Sequence, residues 1–152
     1  MAIIPLAKPV KKRTKPVVKK LKVKKPKTKS LSWYKKEADR VFSLFIRARD
    51  KNTCICCGST VSPQNGHYVQ RDIIPLRYHE KNCHCQCRGC NVFKKGNYPI
   101  YTVRMIDKYG ADWLYELDEI TKKYKSDRIK GKTSYGPDFY QRVIDIYKKD
   151  PN

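Results

Sequence analysis

Four cysteines in two short pairs have the most distinctive chemistry in this chain. Cys54 and Cys57 form one C-x-x-C unit, and Cys87 and Cys90 form a second one. This spacing lets four thiolates meet tetrahedrally around one zinc ion, and a zinc ion with four thiolate ligands has no open position for water. The pattern therefore predicts a structural zinc site, and any catalysis must come from other residues.

Three more cysteines, Cys56, Cys83 and Cys85, lie among these pairs. An odd total of seven, clustered within 37 residues of sequence, fits metal binding in a reducing compartment better than a disulfide framework. We expect the three additional cysteines to be small buried apolar residues.

The 29 residues between the two cysteine pairs, and the five that follow, hold the candidate catalytic groups. His67 is suited to take a proton from water because imidazole titrates near neutral pH. Asn82 and Asn91 carry amide oxygens that suit a hard divalent ion, or that could orient a histidine through its second nitrogen. Lys94 and Lys95 could hold a phosphate. A lone histidine on a strand is more often structural, so the interpretation rests on this combination.

The charge of the chain favours a polyanionic partner. With 35 Lys or Arg and 14 Asp or Glu, the formal net charge is +21. The first thirty residues hold twelve of the basic residues, four prolines and no acid, so we predict a disordered basic arm over 1–30. The rest of the chain is also cationic, which favours a nucleic-acid partner over a solubility tail. The arm residues that we expect to contact phosphates are Lys11, Lys12, Arg13, Lys19, Lys20, Lys24 and Lys25.

The remaining chain predicts an α+β, mostly helical fold, in which amphipathic helices flank a small zinc-stapled core. Apolar residues at helical spacing predict a long first helix, capped by Ser32 and ending near Asp50. Three further amphipathic helices are predicted over 99–109, 112–125 and 137–149. We divide the chain into the arm, a zinc-stapled domain over 31–130 and a C-terminal helix over 131–152.

Between the first and second of these helices, the turn-rich sequence predicts a small β-β-α unit. Residues 66–69 read as a short strand after a turn, which places His67 on a β-hairpin. Residues 91–95 should start a short helix that ends at Gly96. No apolar run approaches the roughly 20 residues that cross a bilayer, and residues 2–6 are too short for a signal peptide. We therefore expect a soluble intracellular protein with no membrane partner.

Taken in order, these motifs resemble the HNH endonuclease signature and, more specifically, the NinG family of bacteriophage lambda. The likeness extends from Ser32 to about Ile120. The strings that carry it are Cys54-Ile55-Cys56-Cys57-Gly58, Gly66-His67-Tyr68, Leu76-Arg77-Tyr78, Glu80-Lys81-Asn82-Cys83-His84-Cys85-Gln86-Cys87-Arg88-Gly89-Cys90-Asn91 and Lys95-Gly96-Asn97.

The resemblance implies a phage recombination nuclease with a ββα-metal (HNH-like) core, working in the cytoplasm of the bacterial host. Its substrates would be branched DNA such as displacement loops and Holliday junctions, and Mg²⁺ or Mn²⁺ would act in addition to structural zinc. The resemblance makes His67 the general base, Asn82 the residue that orients it and Asn91 a metal ligand. Recombination proteins are possible partners. A symmetric junction would be met most simply by a homodimer.

One departure from the HNH pattern leaves the metal ligands open. Many HNH sites carry Asp or His immediately before the catalytic histidine, but here that position is Gly66. His84 is the most plausible substitute, because it lies two residues from Asn82 and shares its face if the segment is extended. Alternatively, His67 itself binds the metal and the base is a different residue.

The expected reaction is phosphodiester hydrolysis, in which His67 activates water and a divalent ion stabilises the developing charge. Arg77 has two interpretations, a phosphate contact beside Lys94 and Lys95 or a surface ion pair with Glu80. Two other classes of protein remain open. One is a zinc-containing protein that binds nucleic acid without cutting it. The other is an RNA-binding or ribosome-associated zinc protein, which would present stacking aromatic residues on a sheet.

Overall fold

A computed structural model describes residues 29–148 of the chain. Its elements are α1 (Leu31–Arg49), β1 (Pro63–His67), α2 (Ile74–Arg77), β2 (Cys83–Cys87), α3 (Tyr98–Tyr109), α4 (Asp112–Ile129) and α5 (Pro137–Lys148). A 3₁₀ turn, Glu80–Asn82, precedes β2, and a π-helical turn, Gly89–Phe93, follows it. The described residues thus form the mostly helical α+β fold that the sequence predicts. The arm candidates Lys11, Lys12, Arg13, Lys19, Lys20, Lys24 and Lys25 lie outside the described residues.

Helix α1 is amphipathic and packs along one side of the molecule. The side-chain oxygen of Ser30 accepts the backbone N–H of Trp33 at 3.2 Å, so Ser30 caps the helix instead of the predicted Ser32. Its buried residues recur at helical spacing and pack with α5, Tyr78 and Cys83; they are Ala38, Val41, Phe42 and Ile46. The helix ends at Arg49, close to the predicted boundary.

The second part of the core lies under α3 and α4. Tyr101, Met105, Trp113 and Leu117 are almost fully buried there, together with residues of the cysteine cluster. Helix α4 continues to Ile129, four residues beyond the prediction, and α3 and α5 start and end within one residue of theirs. Within residues 29–148, no helix is both long enough and apolar enough to span a bilayer.

The two strands form a single antiparallel pair that separates these two parts of the core. Pro63 pairs with Cys87 at one end, and His67 pairs with Cys83 at the other. Because side chains alternate along a strand, His67 and Cys83 lie on one face, and Gly66 and His84 lie on the opposite face. The strand starts and ends earlier than the predicted range 66–69, since the chain leaves the ladder just after His67.

The predicted helix over 91–95 is also displaced. The chain forms a π-helical turn from Gly89 to Phe93, closed by a bond of 3.0 Å from the Lys94 N–H to the Gly89 carbonyl. Gly96, the predicted end, has a φ angle of +93°, and its N–H reaches the Cys90 carbonyl at 3.0 Å. The wider turn places Asn91 inside the helical segment, directly after a cysteine of the second pair.

Candidate functional site

The structure brings together the four cysteines of the two C-x-x-C units. The sulfur atoms of Cys54, Cys57, Cys87 and Cys90 all lie within 4.8 Å of one another. Cys57 and Cys87 join the two units, with their sulfur atoms 3.7 Å apart. Three of the four side chains are buried and Cys57 is exposed. Four convergent thiols are the ligand set of a structural zinc site, so the cluster fits the predicted ion.

Backbone and side-chain donors already surround these sulfur atoms. The Cys90 N–H donates to the Cys87 sulfur at 3.4 Å, and the Asn97 side chain donates to the Cys90 sulfur at 3.6 Å. Burial raises the pKa of Cys54, but backbone N–H groups, first among them that of Cys87, outweigh it and lower this pKa to about 7. Such donors favour the thiolate, which is the form that binds metal.

The other three cysteines do not join the cluster. Cys56, Cys83 and Cys85 are buried, as predicted. Burial also raises the pKa of each of these thiols, which keeps them protonated.

His67 ends β1 with one ring nitrogen fixed and the other free. Its Nε2 lies 3.0 Å from the backbone carbonyl oxygen of Arg77, which can only accept, so Nε2 carries the proton. Nδ1 then keeps its lone pair and has no hydrogen-bond partner among residues 29–148. Burial, with added repulsion from Arg71 and Arg77, lowers the pKa of His67 to about 4. The ring is therefore neutral near pH 7, and it is a weaker base than the unperturbed imidazole on which the prediction from sequence was based.

The side chain of His67 lines two adjoining depressions. One, of about 300 Å³, lies against α1, and the other, of about 530 Å³, extends to Asn91. We call the two together the His67 cleft. Residues common to both parts are Gln64, Asn65, His67 and Arg71. Asn91 is held by a hydrogen bond of 2.7 Å from its side-chain nitrogen to Gln64, so its amide oxygen is left as an acceptor in the cleft.

Asn82 does not contact His67 and has a different role from the predicted one. Its side chain is fully buried, and its amide nitrogen donates to the carbonyls of Val69 and Leu76 at 3.0 and 2.9 Å. Its amide oxygen accepts the Val69 N–H at 2.7 Å. Asn82 thus fixes the loop between the strands, which in turn presents the Arg77 carbonyl to the histidine. It positions His67 indirectly.

His84 lies outside the His67 cleft, so it is not placed to bind a metal ion there as predicted. It is completely buried on the other face of the strand pair. Its Nδ1 and Nε2 lie 3.2 and 3.0 Å from the hydroxyls of Tyr101 and Tyr109. The expectation failed because Asn82 lies in a 3₁₀ turn, where the alternation of a strand does not apply.

Arg77 lines the cleft but does not form the predicted ion pair with Glu80. Arg77 is only 8% exposed, and its guanidinium forms a two-pronged ion pair with Asp39 of α1. A third bond of 3.1 Å reaches the Arg71 carbonyl. These three bonds tie Arg77 of α2 to α1 and to the loop before α2. The ion-pair partner is Asp39 and not Glu80. Asp39 is 38 residues earlier in the chain, and only the tertiary fold brings it next to Arg77.

Lys94 and Lys95 are exposed and follow the turn that carries Asn91, although neither lines the His67 cleft. Several polar residues that do line it were not predicted from the sequence, among them Asn65, Arg71 and Asp72. Asn65 lies two residues before His67 on the same strand face, and its amide oxygen is buried with no partner in the described part of the chain. Arg71 and Asp72 belong to the loop fixed by Asn82. The strand alternation could have identified Asn65, but no spacing signal marks the loop residues.

Comparisons with known proteins agree on one family. The family model described as "Bacteriophage Lambda NinG protein" matches residues 6–144. Protein ninG of Salmonella phage P22 is 39% identical over 113 residues, which are 72% of this chain and 54% of that protein. Protein ninG of Escherichia phage lambda is 38% identical over 110 residues, 70% of this chain and 54% of its own length. The chain therefore spans about half the length of these curated relatives, whose names state no activity. No solved structure matches it.

Proposed function

This chain belongs to the NinG family of bacteriophage lambda, and from its His67 cleft we propose that it is a metal-dependent endonuclease that cuts branched DNA. The reaction would be hydrolysis of a phosphodiester bond in recombination intermediates such as Holliday junctions and displacement loops. The proposed catalytic core is an HNH-like ββα unit made of β1, β2 and the π-helical turn, with structural zinc at the four cysteines.

The observation that carries the proposal is the state of the His67 ring. The Arg77 carbonyl fixes the proton on Nε2, so the lone pair of Nδ1 is directed away from that bond and has no described partner. A general base needs this combination of a fixed orientation and an available lone pair. Nδ1 would take a proton from water as the water oxygen attacks phosphorus, and the bond from phosphorus to the leaving oxygen would break.

The cleft also has oxygen donors suited to a hard cation. The amide oxygen of Asn65 is buried without a described partner, an arrangement that costs free energy unless something binds it. Asn91 offers a second amide oxygen, and Asp72 a carboxylate, along the same wall. Mg²⁺ or Mn²⁺ bound by these groups would supply Lewis-acid stabilisation of the charge that develops on the phosphate.

The cysteine cluster would act as a support for this site. Asn91 follows Cys90 directly, and β2 leads from Cys83, opposite His67, to Cys87. A zinc ion that holds both pairs would fix the π-helical turn against the strands, and so fix Asn91 relative to His67. Zinc binding in small modules contributes roughly 10 to 16 kcal/mol, comparable to the stability of a whole domain.

The charges around the cleft suit a DNA backbone. Arg47 and Arg71 line it, and the chain as a whole has a formal charge of +21. Lys94 and Lys95 add positive charge beside Asn91. Cationic side chains near the reacting group would hold the phosphate and would make binding strongly dependent on salt concentration.

The test is a cleavage assay of wild-type protein and His67→Ala on four-way junction, forked, linear duplex and single-stranded DNA. Each substrate is incubated with Mg²⁺, with Mn²⁺ and without a divalent metal. We expect metal-dependent cuts that disappear in His67→Ala, because the variant lacks the proton acceptor. His79→Ala is the matched control, since His79 is also partly buried but lies beside Glu116 and outside the cleft.

Zinc content and DNA affinity are measured for all three proteins. Retention of both in His67→Ala would assign the lost cleavage to chemistry. If wild type and His67→Ala cut alike, the general-base assignment is wrong. If neither cuts but both bind DNA, the protein is a non-catalytic zinc-containing nucleic-acid-binding protein.

A further inference from the structure

An exposed phenylalanine stands on the same turn as a cleft residue. The side chain of Phe93 is 73% exposed, more than any other aromatic residue in the range 29–148. Neighbouring Val92 is also exposed, at 48%. Single exposed apolar residues are common on protein surfaces, so exposure alone has no functional meaning. The surroundings of Phe93 give it one.

The turn that carries Phe93 is rigid. It starts between two cysteines of the cluster and is closed by the bond from the Lys94 N–H to the Gly89 carbonyl, at 3.0 Å. Just beyond it, the Gly96 carbonyl accepts a bond of 2.7 Å from the buried side chain of Gln86. Phe93 is therefore presented to solvent by an ordered segment. A ligand that stacks on it would not have to order the backbone first.

One basic side chain lies near the Phe93 ring, and two more follow it in the chain. The guanidinium carbon of Arg88 lies 5.4 Å from the ring centroid, and Lys94 and Lys95 follow directly in the chain. A phenylalanine with an arginine near its ring and two exposed lysines next in the chain is poorly suited to an apolar protein groove. It suits a ligand that offers flat aromatic faces together with negative charge, which is the chemistry of a nucleic-acid strand with unstacked bases.

The position of the turn connects this surface to the proposed chemistry. Asn91, two residues before Phe93, lines the His67 cleft. In fully paired duplex DNA the base faces are covered by their neighbours, whereas a branch point with unpaired nucleotides exposes them. A phosphate held in the cleft would then lie near nucleotides that this turn can reach.

We propose that Phe93 stacks on an unpaired base at a branch point, and that this contact selects branched over fully paired DNA. The inference rests on the proposed function and names how the same site would recognise its substrate class. Arg88, Lys94 and Lys95 would hold the phosphates on either side of the stacked base.

The experiment measures the affinity of zinc-loaded protein for a forked DNA with unpaired arms and for a linear duplex of the same paired sequence. No Mg²⁺ or Mn²⁺ is added, so binding is read without cleavage. Phe93→Ala should lose about fivefold or more in affinity for the fork and keep its affinity for the duplex, because stacking on one base is lost. Phe93→Trp should retain the preference. Tyr115→Ala is the matched control, since Tyr115 is 71% exposed on α4.

A fluorescent base analogue placed at the branch gives a second readout. Its emission should be quenched by wild type and Phe93→Trp, and should stay unquenched with Phe93→Ala. The inference is overturned if wild type shows no preference for the fork, or if Phe93→Ala keeps the wild-type ratio of fork to duplex affinity. Because no Mg²⁺ or Mn²⁺ is added, either result is independent of the His67 cleavage test.

Discussion

The two faces of the strand pair place their histidines in opposite environments. His67 borders an open cleft, with Nε2 on the Arg77 carbonyl and Nδ1 free of described partners. His84 is completely buried on the other face, and both of its ring nitrogens meet tyrosine hydroxyls, those of Tyr101 and Tyr109. One face keeps an unused lone pair beside water. The other has used every polar atom of its histidine to build the core.

The difference shows that the presence of a histidine in a strand does not predict its function unless the pairing register of that strand is known. A shift of one residue along a strand moves a side chain to the other face. His67 is paired with Cys83 and His84 with Gly66, so the two imidazoles never share a surface. Either histidine could in principle bind a metal ion or transfer a proton. In this register His67 is a candidate base, and His84 links two tyrosines in the core.

Replacing the two histidines in parallel is the strongest way to break this comparison. We expect His84→Ala to lower the free energy of unfolding by about 2 to 4 kcal/mol, because it leaves a cavity and removes the hydrogen bonds to the Tyr101 and Tyr109 hydroxyls. His67→Ala should lower it by less than about 1.5 kcal/mol, since the ring borders solvent and makes one hydrogen bond. Urea unfolding of the zinc-loaded proteins measures both.

His84→Phe serves as the control, because it fills the cavity but cannot bond to the two hydroxyls. Its stability should lie between those of wild type and His84→Ala. Equal destabilisation by His67→Ala and His84→Ala would mean that the two faces are equally structural, which contradicts the division into site and core.

The pH dependence of stability should separate the buried face in a second way. Burial, with smaller repulsion from Arg49, lowers the pKa of His84 from 6.5 to about 3. Between pH 6.5 and about 3, His84 therefore binds a proton in the unfolded chain but not in the folded chain. The contribution to stability is complete above pH 6.5 and is lost progressively as the pH falls towards 3.

The measurement compares wild type with His84→Gln, whose amide can still bond to the tyrosines but does not titrate. Between pH 6 and 4 the unfolding free energy of wild type should fall more steeply, by up to about 1.4 kcal/mol per pH unit. Release of zinc in acid affects both proteins and is removed in the difference. Identical slopes would show that His84 is protonated in the folded state.

The sequence predicts best those features that depend on local spacing. The four cysteines come together as predicted, because a C-x-x-C unit already brings two sulfur atoms to one ion. The long helices follow from apolar periodicity, although Ser30 replaces Ser32 as the cap and α4 is longer than expected. These features need no knowledge of how distant segments meet.

The cleft was less predictable because it depends on contacts between distant residues. Arg77 pairs with Asp39, 38 residues earlier, and Asn82 binds carbonyls in the loop after β1. Neither pairing has a spacing rule, so the sequence predicted neither the partner of Arg77 nor the buried position of Asn82, which does not contact the histidine. His67 and Asn91 were predicted and do line one cleft, whereas Arg71 was found only through the fold.

Gly66, which stands before His67, offers a sharper test of how the two faces are joined. An added Cβ would lie 2.1 Å from the amide oxygen of Gln86, whose side chain is fully buried. Gln86 cannot move away easily because its amide nitrogen is bonded to the Gly96 carbonyl at 2.7 Å. We therefore expect Gly66→Ala to lower the unfolding free energy by about 1 to 3 kcal/mol.

Gln86→Ala and the double variant complete a cycle. Shortening Gln86 removes the clash, so the Gly66→Ala change should be milder in that background, with a coupling of at least about 0.5 kcal/mol. If the effects of Gly66→Ala and Gln86→Ala on the unfolding free energy are additive, the clash with Gln86 is not the reason that position 66 needs glycine. The close approach of Gln86 also leaves no room for a larger side chain at position 66.

The smallest expected effect concerns the open face, where Arg71 borders both parts of the cleft. If this face binds the DNA backbone, Arg71→Ala should weaken binding to all DNA substrates by a similar factor. The slope of log affinity against log salt should fall by about one, because one phosphate contact fewer releases fewer counterions. Lys122→Ala is the control, since Lys122 is already paired with Asp118 and Glu119 at 2.7 and 3.1 Å. An unchanged salt slope for Arg71→Ala would show that DNA binds elsewhere on the protein. The proposal that the His67 cleft binds DNA would then be wrong.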